Sequence, residues 1–169
     1  MADFALRLVF FAVAPIAIPP LIDRPQFVVR TSGHELSVLE NHRWAEPLAL
    51  DLTRAFVEAL RRSPAGVDAA ERDLARTRAA PLVLQVTISE LVAGPGPSTS
   101  LQAAWVLRDR QKACVRTGHI GADIPTQPGY EAIPTAYAAA MSRLADAISA
   151  SIAQGVACTD SARASSGGT

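Results

Sequence analysis

The chain of 169 residues is short of several things, and each shortage excludes something. It has two cysteines, Cys114 and Cys158, and their spacing matches no zinc or dithiol redox motif, which needs close pairs or nearby histidines. In an oxidising compartment the two can close one disulfide, tying a strand to the segment after the last helix; in a reducing one they are two separate thiols. Charge of one sign is missing too. Sixteen basic residues balance sixteen acidic ones, so there is no bulk electrostatic reason to expect nucleic acid as a partner.

A clean long apolar run is also missing. Residues 5–22 are the most apolar stretch, but Asp3 stands where a signal peptide wants positive charge, and Arg7 and Pro15 interrupt the span a membrane helix needs. With Phe10, Phe11, Val13, Ile16 and Ile18 as β-formers, the stretch reads as a first buried strand. Catalytic signatures are missing as well: no nucleophile elbow, phosphate-binding loop, zinc-protease helix or dinucleotide fingerprint. The prolines in Gly94-Pro-Gly-Pro97 remove the N–H donors that a phosphate loop uses. His34, His42 and His119 are scattered, so no metal site and no cofactor are expected from them.

What remains is half apolar and long enough for one packed domain, expected over residues 1–158, with a small, polar, disordered tail over 159–169. Residues 25–31 read as a strand, Ser32-Gly33 as a turn, and residues 35–39 as the returning strand. Pro47 suits a first helical position, and Leu48, Leu52, Phe56, Ala59 and Leu60 then mark an amphipathic helix that Ser63-Pro64 stops. Residues 65–80 suit a short exposed helix or an irregular connection. Three alternating segments, from Leu82, Leu101 and Ala113, predict an antiparallel meander. Ile133, Tyr137, Met141, Leu144, Ile148 and Ile152 mark a last helix ended by Gly155. The fold class is α+β: an antiparallel or mixed sheet of about five to six strands, with two long helices packed on one face.

Two local groups carry most of the chemical character. Asp23, Arg24, Pro25 and Gln26 lead into a strand; Arg43, Trp44, Glu46 and Pro47 open the first helix. Structurally, Trp44 buries a ring, Glu46 favours the helix start, and Asp23 with Arg24 closes a loop. Functionally, Trp and Arg are common anchors of protein interfaces. The apolar stripe of the last helix has the same two readings, as core or as a cradle for a lipid or a partner helix.

The pairing of Ile-Pro-Pro-Leu-Ile-Asp-Arg-Pro-Gln-Phe-Val-Val-Arg (residues 18–30) with His-Arg-Trp-Ala-Glu-Pro-Leu (42–48) resembles the ABC-type transport auxiliary lipoprotein family. Its members include the paraquat-inducible protein C lipoproteins. Trp105 in a strand, a charged turn and a long Ala-rich helix fit the same resemblance, which spans about residues 12–153. The resemblance implies a non-catalytic periplasmic subunit that assists a mammalian-cell-entry-type system moving lipids across the envelope. Its implied partners are other subunits of that complex, further copies of itself, and phospholipid. It also implies tethering to the outer membrane through a lipidated cysteine, yet no cysteine precedes Cys114. Either the chain starts downstream of that residue or this member is not lipidated.

Two further readings stand beside this one. One is direct lipid binding in a groove between helix and sheet. The other is a hydrolase or transferase site assembled from Asp109, His119 and Glu131.

Overall fold

The computed structural model describes residues 9–32, 34–63, 67–71, 80–94, 97–111, 114–154 and 159–160. The first strand, β1 (Val9–Val13), is parallel to two neighbours, β4 (Val67–Glu71) and β5 (Leu82–Ala93). A strand paired on both edges suits the apolar run that opens the chain.

Beyond Val13 the backbone keeps following the edge of β5. Ala14 N–H donates to the Leu84 carbonyl at 2.9 Å, Ala17 N–H to Val86 at 3.1 Å, and Ile88 N–H to Ala17 at 2.8 Å. Pro15 falls between these positions, where its missing N–H costs no ladder bond. Ile16 N–H turns instead to the buried hydroxyl of Thr53 at 3.0 Å, and that hydroxyl donates to Ala49 one helical turn back at 2.6 Å. The apolar stretch is therefore a strand plus an extended continuation, as its β-formers predict.

After a turn at Pro19–Arg24 the chain returns as β2 (Gln26–Ser32), meets β5 again in parallel at Val29–Ala93, and folds back as β3 (Glu35–Arg43). The return strand is longer than the sequence suggests, since it takes in Asn41, His42 and Arg43. β5, β6 (Ser98–Asp109) and β7 (Cys114–Pro125) form the expected antiparallel meander. A two-residue strand, β8 (Thr159–Asp160), pairs with the start of β7, so two residues placed in the tail on sequence grounds are part of the sheet. The main order is β3-β2-β5-β6-β7-β8, with β1 beside β5 and β4 beside β1. The sheet is mixed.

Residues 65–80 depart from their expectation. Val67–Glu71 is a strand where an exposed helix or irregular connection was expected, because β1 leaves an edge that β4 can pair. The rest of any helix over 69–78 lies outside the described residues.

Two helices cover one face. α1 (Leu48–Arg62) buries Leu48, Leu52, Phe56, Val57 and Leu60; α2 (Ile133–Ala153) buries Tyr137, Met141, Leu144 and Ile148. The spacings of three and four place these residues on one stripe of each helix. Ala136, Ala140 and Ala145 are buried on α2, and such small side chains let α1 and α2 approach closely. Pro47 is the residue before α1 rather than its first helical residue, and Gln154 caps α2, while Gly155 lies outside the described residues.

Strand alternation supplies the other half of the core. Leu84, Val86, Ile88, Leu101 and Leu107 are buried, while Gln85, Thr87, Gln102 and Arg108 face outward and are exposed. Fully burying each large aliphatic side chain contributes about 1.5–3 kcal/mol before entropic costs. Tight steric fit appears at Trp105, whose indole lies over Gly118 on β7: a Cβ added there would sit 2.6 Å from the ring. The seam between helices and sheet is filled by this core cluster.

Candidate functional site

The two polar groups singled out in the sequence meet at one end of the β2–β3 ladder. Gln26 is the register partner of Arg43, and the Trp44 N–H donates to the Pro25 carbonyl at 2.8 Å. The side chain of Gln26 reaches Glu40 at 3.5 Å. Phe27 then lies against Trp44, with ring centroids 4.2 Å apart, and Trp44 stacks on Tyr137 of α2 at 5.4 Å. Three segments far apart in sequence are thus joined by one aromatic column.

Its inner end is fixed by polar contacts. The Tyr137 hydroxyl donates to the Leu91 carbonyl at 3.1 Å, which anchors α2 to β5. Burial pushes that phenol well above its usual range, and a backbone hydrogen bond at Ala93 offsets part of the effect. The outer end is more open. Trp44 is half-buried, and His42 contacts both Phe27 and the exposed Tyr130, the latter edge-on at 5.1 Å.

Around this column the remaining motif residues divide. Asp23, Pro25, Arg43, Glu46 and Pro47 are exposed; Arg24 and Gln26 are partly covered. The loop expected from Asp23 and Arg24 is closed by backbone bonds, Asp23 N–H to Pro19 at 3.2 Å and Arg24 N–H to Ile22 at 2.9 Å. Glu46 makes no capping bond at the helix start; it pairs with Arg54 on the surface of α1, while Asp51 supplies the acid in the first turn. The pieces around Trp44 are therefore half scaffold and half exposed surface.

A second feature was not visible in the sequence. At the carboxyl ends of β2 and β5 there is a cleft of about 400 Å³, lined by Arg30, Thr31, Gly94, Thr126, Gln127 and Tyr130 among others. Arg30 bridges to Glu90 at 2.7 Å. No sequence signal marks this cleft, because it is made where strands distant in the chain end side by side.

Other expected residues are not gathered. Asp109 pairs with Cys114 at one end of the β6–β7 ladder, and His119 lies five residues further along β7, roughly 17 Å away at strand rise. Glu131 belongs to the short 3-10 turn that follows the opposite end of β7. These three cannot form one site in this fold. His34 and His42 lie on the β2–β3 hairpin, apart from His119, and among the described residues no group of three or more His, Cys, Asp or Glu is placed to hold a metal ion. Cys114 is buried and disulfide-bonded; Cys158 lies outside the described residues. Among the described residues no helix is long and apolar enough to cross a membrane.

None of the curated proteins matches the chain. Among solved structures it resembles an uncharacterised protein, with TM-score 0.74, 19% identity, and 85% of this chain and 91% of the other covered. It is also similar to a DUF330-family protein from Xanthomonas campestris, with TM-score 0.69, 18% identity and 90% of each chain covered. A PelC dodecamer from Paraburkholderia phytofirmans follows, with TM-score 0.50, 13% identity, and coverage of 83% and 87%. At these identities the likeness speaks for the fold. The family profile described as the ABC-type transport auxiliary lipoprotein component matches residues 3–152. With nearly the whole chain matched, this protein belongs to the ABC-type transport auxiliary lipoprotein family.

Proposed function

We propose that the protein is a non-catalytic periplasmic subunit of a mammalian-cell-entry-type lipid transport system, and that it acts by docking to other subunits. The observation that carries this reading is the junction of the two motifs. Phe27, Trp44 and Tyr137 hold the segments rigidly together, while Asp23, Arg43 and Glu46 remain exposed around them. A rigid aromatic anchor ringed by charged side chains is what a binding surface needs to limit ordering costs.

Family membership supports the auxiliary role, and a lipidated cysteine upstream of the first residue is the anchor we propose for attachment to the outer membrane. Assembly into a homo-oligomer is part of the same reading; the dodecamer named for the structurally similar PelC supports it. Contact with phospholipid belongs to the proposal through the transported cargo. Among the described residues, buried side chains of both helices and the sheet join in one core cluster.

The test is recovery of the tagged chain from envelope extracts under native conditions. Envelope transport subunits should copurify with it, and light scattering of the purified protein should give a mass several times that of one chain. Recovery with cytosolic proteins alone would overturn the docking reading.

A further inference from the structure

The cleft beside Arg30 sits where the sheet changes direction. β2 and β5 run parallel and touch at Val29–Ala93. From the end of β2 the chain turns to β3 on one side; from the end of β5 it turns to β6 on the other. Both strands continue by hairpins into antiparallel neighbours, so the two strand ends lie side by side with space outside them. That space is a cleft of about 400 Å³.

Its chemistry favours an anion. Arg30 is the charged residue among those lining it. Its Nη2 is held by Glu90 at 2.7 Å, which fixes the guanidinium, while its Nε is buried and has no hydrogen-bond partner. The guanidinium is partly exposed, and held in place by that bond it has further N–H donors for an oxygen-bearing acceptor. Gln127 adds an amide group from the segment after β7, whereas the Thr31 and Thr126 hydroxyls already donate to the carbonyls of Glu35 and Ile124. Glu131 lies against Gly129, since a Cβ on that glycine would be 2.8 Å from its Oε2, so negative charge is disfavoured at that end of the cleft.

We propose that this cleft binds a phosphate group, carried by a soluble phosphate ester or by a lipid headgroup, with Arg30 as its principal contact. The volume exceeds that of a phosphate and leaves room for an ester substituent. The inference does not depend on the docking reading, which concerns the surface around Trp44.

The experiment uses the full chain. Inorganic phosphate is titrated calorimetrically, and vesicles of phosphatidylcholine with phosphatidylglycerol are sedimented with the protein. Wild type should bind at least one probe saturably, and Arg30→Gln should weaken that binding by about tenfold or more. The double variant Arg30→Gln/Glu90→Gln keeps the pair uncharged, so its unchanged unfolding midpoint would show that lost binding is not lost folding. Loss of phosphate binding alone assigns a soluble ester; loss of vesicle binding assigns a headgroup. Binding of neither probe by wild type, or binding that survives in the folded double variant, overturns the proposal.

Discussion

The amide of Trp44 donates to the carbonyl of Pro25 across 2.8 Å, and through that bond the residue just after β3 is held to the residue just before β2. Gln26 and Arg43 are paired beside it, so the ladder ends with both motifs in register. The indole of Trp44 then lies between Phe27 and Tyr137, which carries the junction across to α2.

Removing that ring should loosen all three segments. Trp44→Ala is expected to cost about 2–3 kcal/mol, less than a fully buried tryptophan because the side chain is half-exposed. Trp44→Phe should recover most of it. Urea unfolding of the two variants measures the difference, and equal midpoints would refute the column as a structural joint.

The exposed members of the motifs should behave in the opposite way. Asp23→Ala, Arg43→Ala and Glu46→Ala remove surface side chains, and even the Glu46–Arg54 pair is solvent-exposed. Each should change stability by less than about 1 kcal/mol. If this surface docks, the same substitutions reduce recovery of envelope partners while thermal midpoints stay put. Undiminished recovery from the triple variant would remove the assignment.

Alkaline pH should act through Tyr137. Its phenol is raised by burial, so the folded state holds the proton more tightly than the unfolded chain does. The associated stability is fully present below the unfolded phenol value of about 10 and is lost as pH climbs beyond it. Tyr137→Phe removes the bond to Leu91, at an expected cost of about 1–2 kcal/mol near neutrality, and should flatten this alkaline dependence. Stability profiles between pH 7 and 11, compared for the two proteins, decide it.

Gly118 should accept no side chain. Gly118→Ala places a methyl group 2.6 Å from the Trp105 ring, so the indole or the strand must move. A loss of about 1–3 kcal/mol is expected, with altered fluorescence from the buried indole. Gly121 offers a milder control, because the nearest neighbour is the end of the flexible, exposed Gln102 side chain.

Cys114 is disulfide-bonded, and we propose Cys158 as its partner, since the chain has no other cysteine. The bond would then hold the segment that follows α2 against β7, where Cys114 already pairs with Asp160. Cys114→Ser or reductant should lower stability by about 2–4 kcal/mol. Peptide mapping without reduction should recover the two cysteines linked; a freely alkylated Cys158 would contradict the pairing.

Both long helices, the meander and the hairpin were legible in the residues themselves, because periods of two and of three to four decide which faces are apolar before any tertiary contact forms. The family was legible too, through two short motifs in fixed order. What the residues could not reveal depends on which strand ends where. Val67–Glu71 becomes a strand because β1 leaves an edge for it, a fact absent from its own alanine-rich sequence. Tyr137 meets Trp44, and Arg30 borders a cleft, through packing between segments remote in the chain. Local periodicity sets the elements; long-range pairing alone, which no local pattern encodes, sets the sites they build.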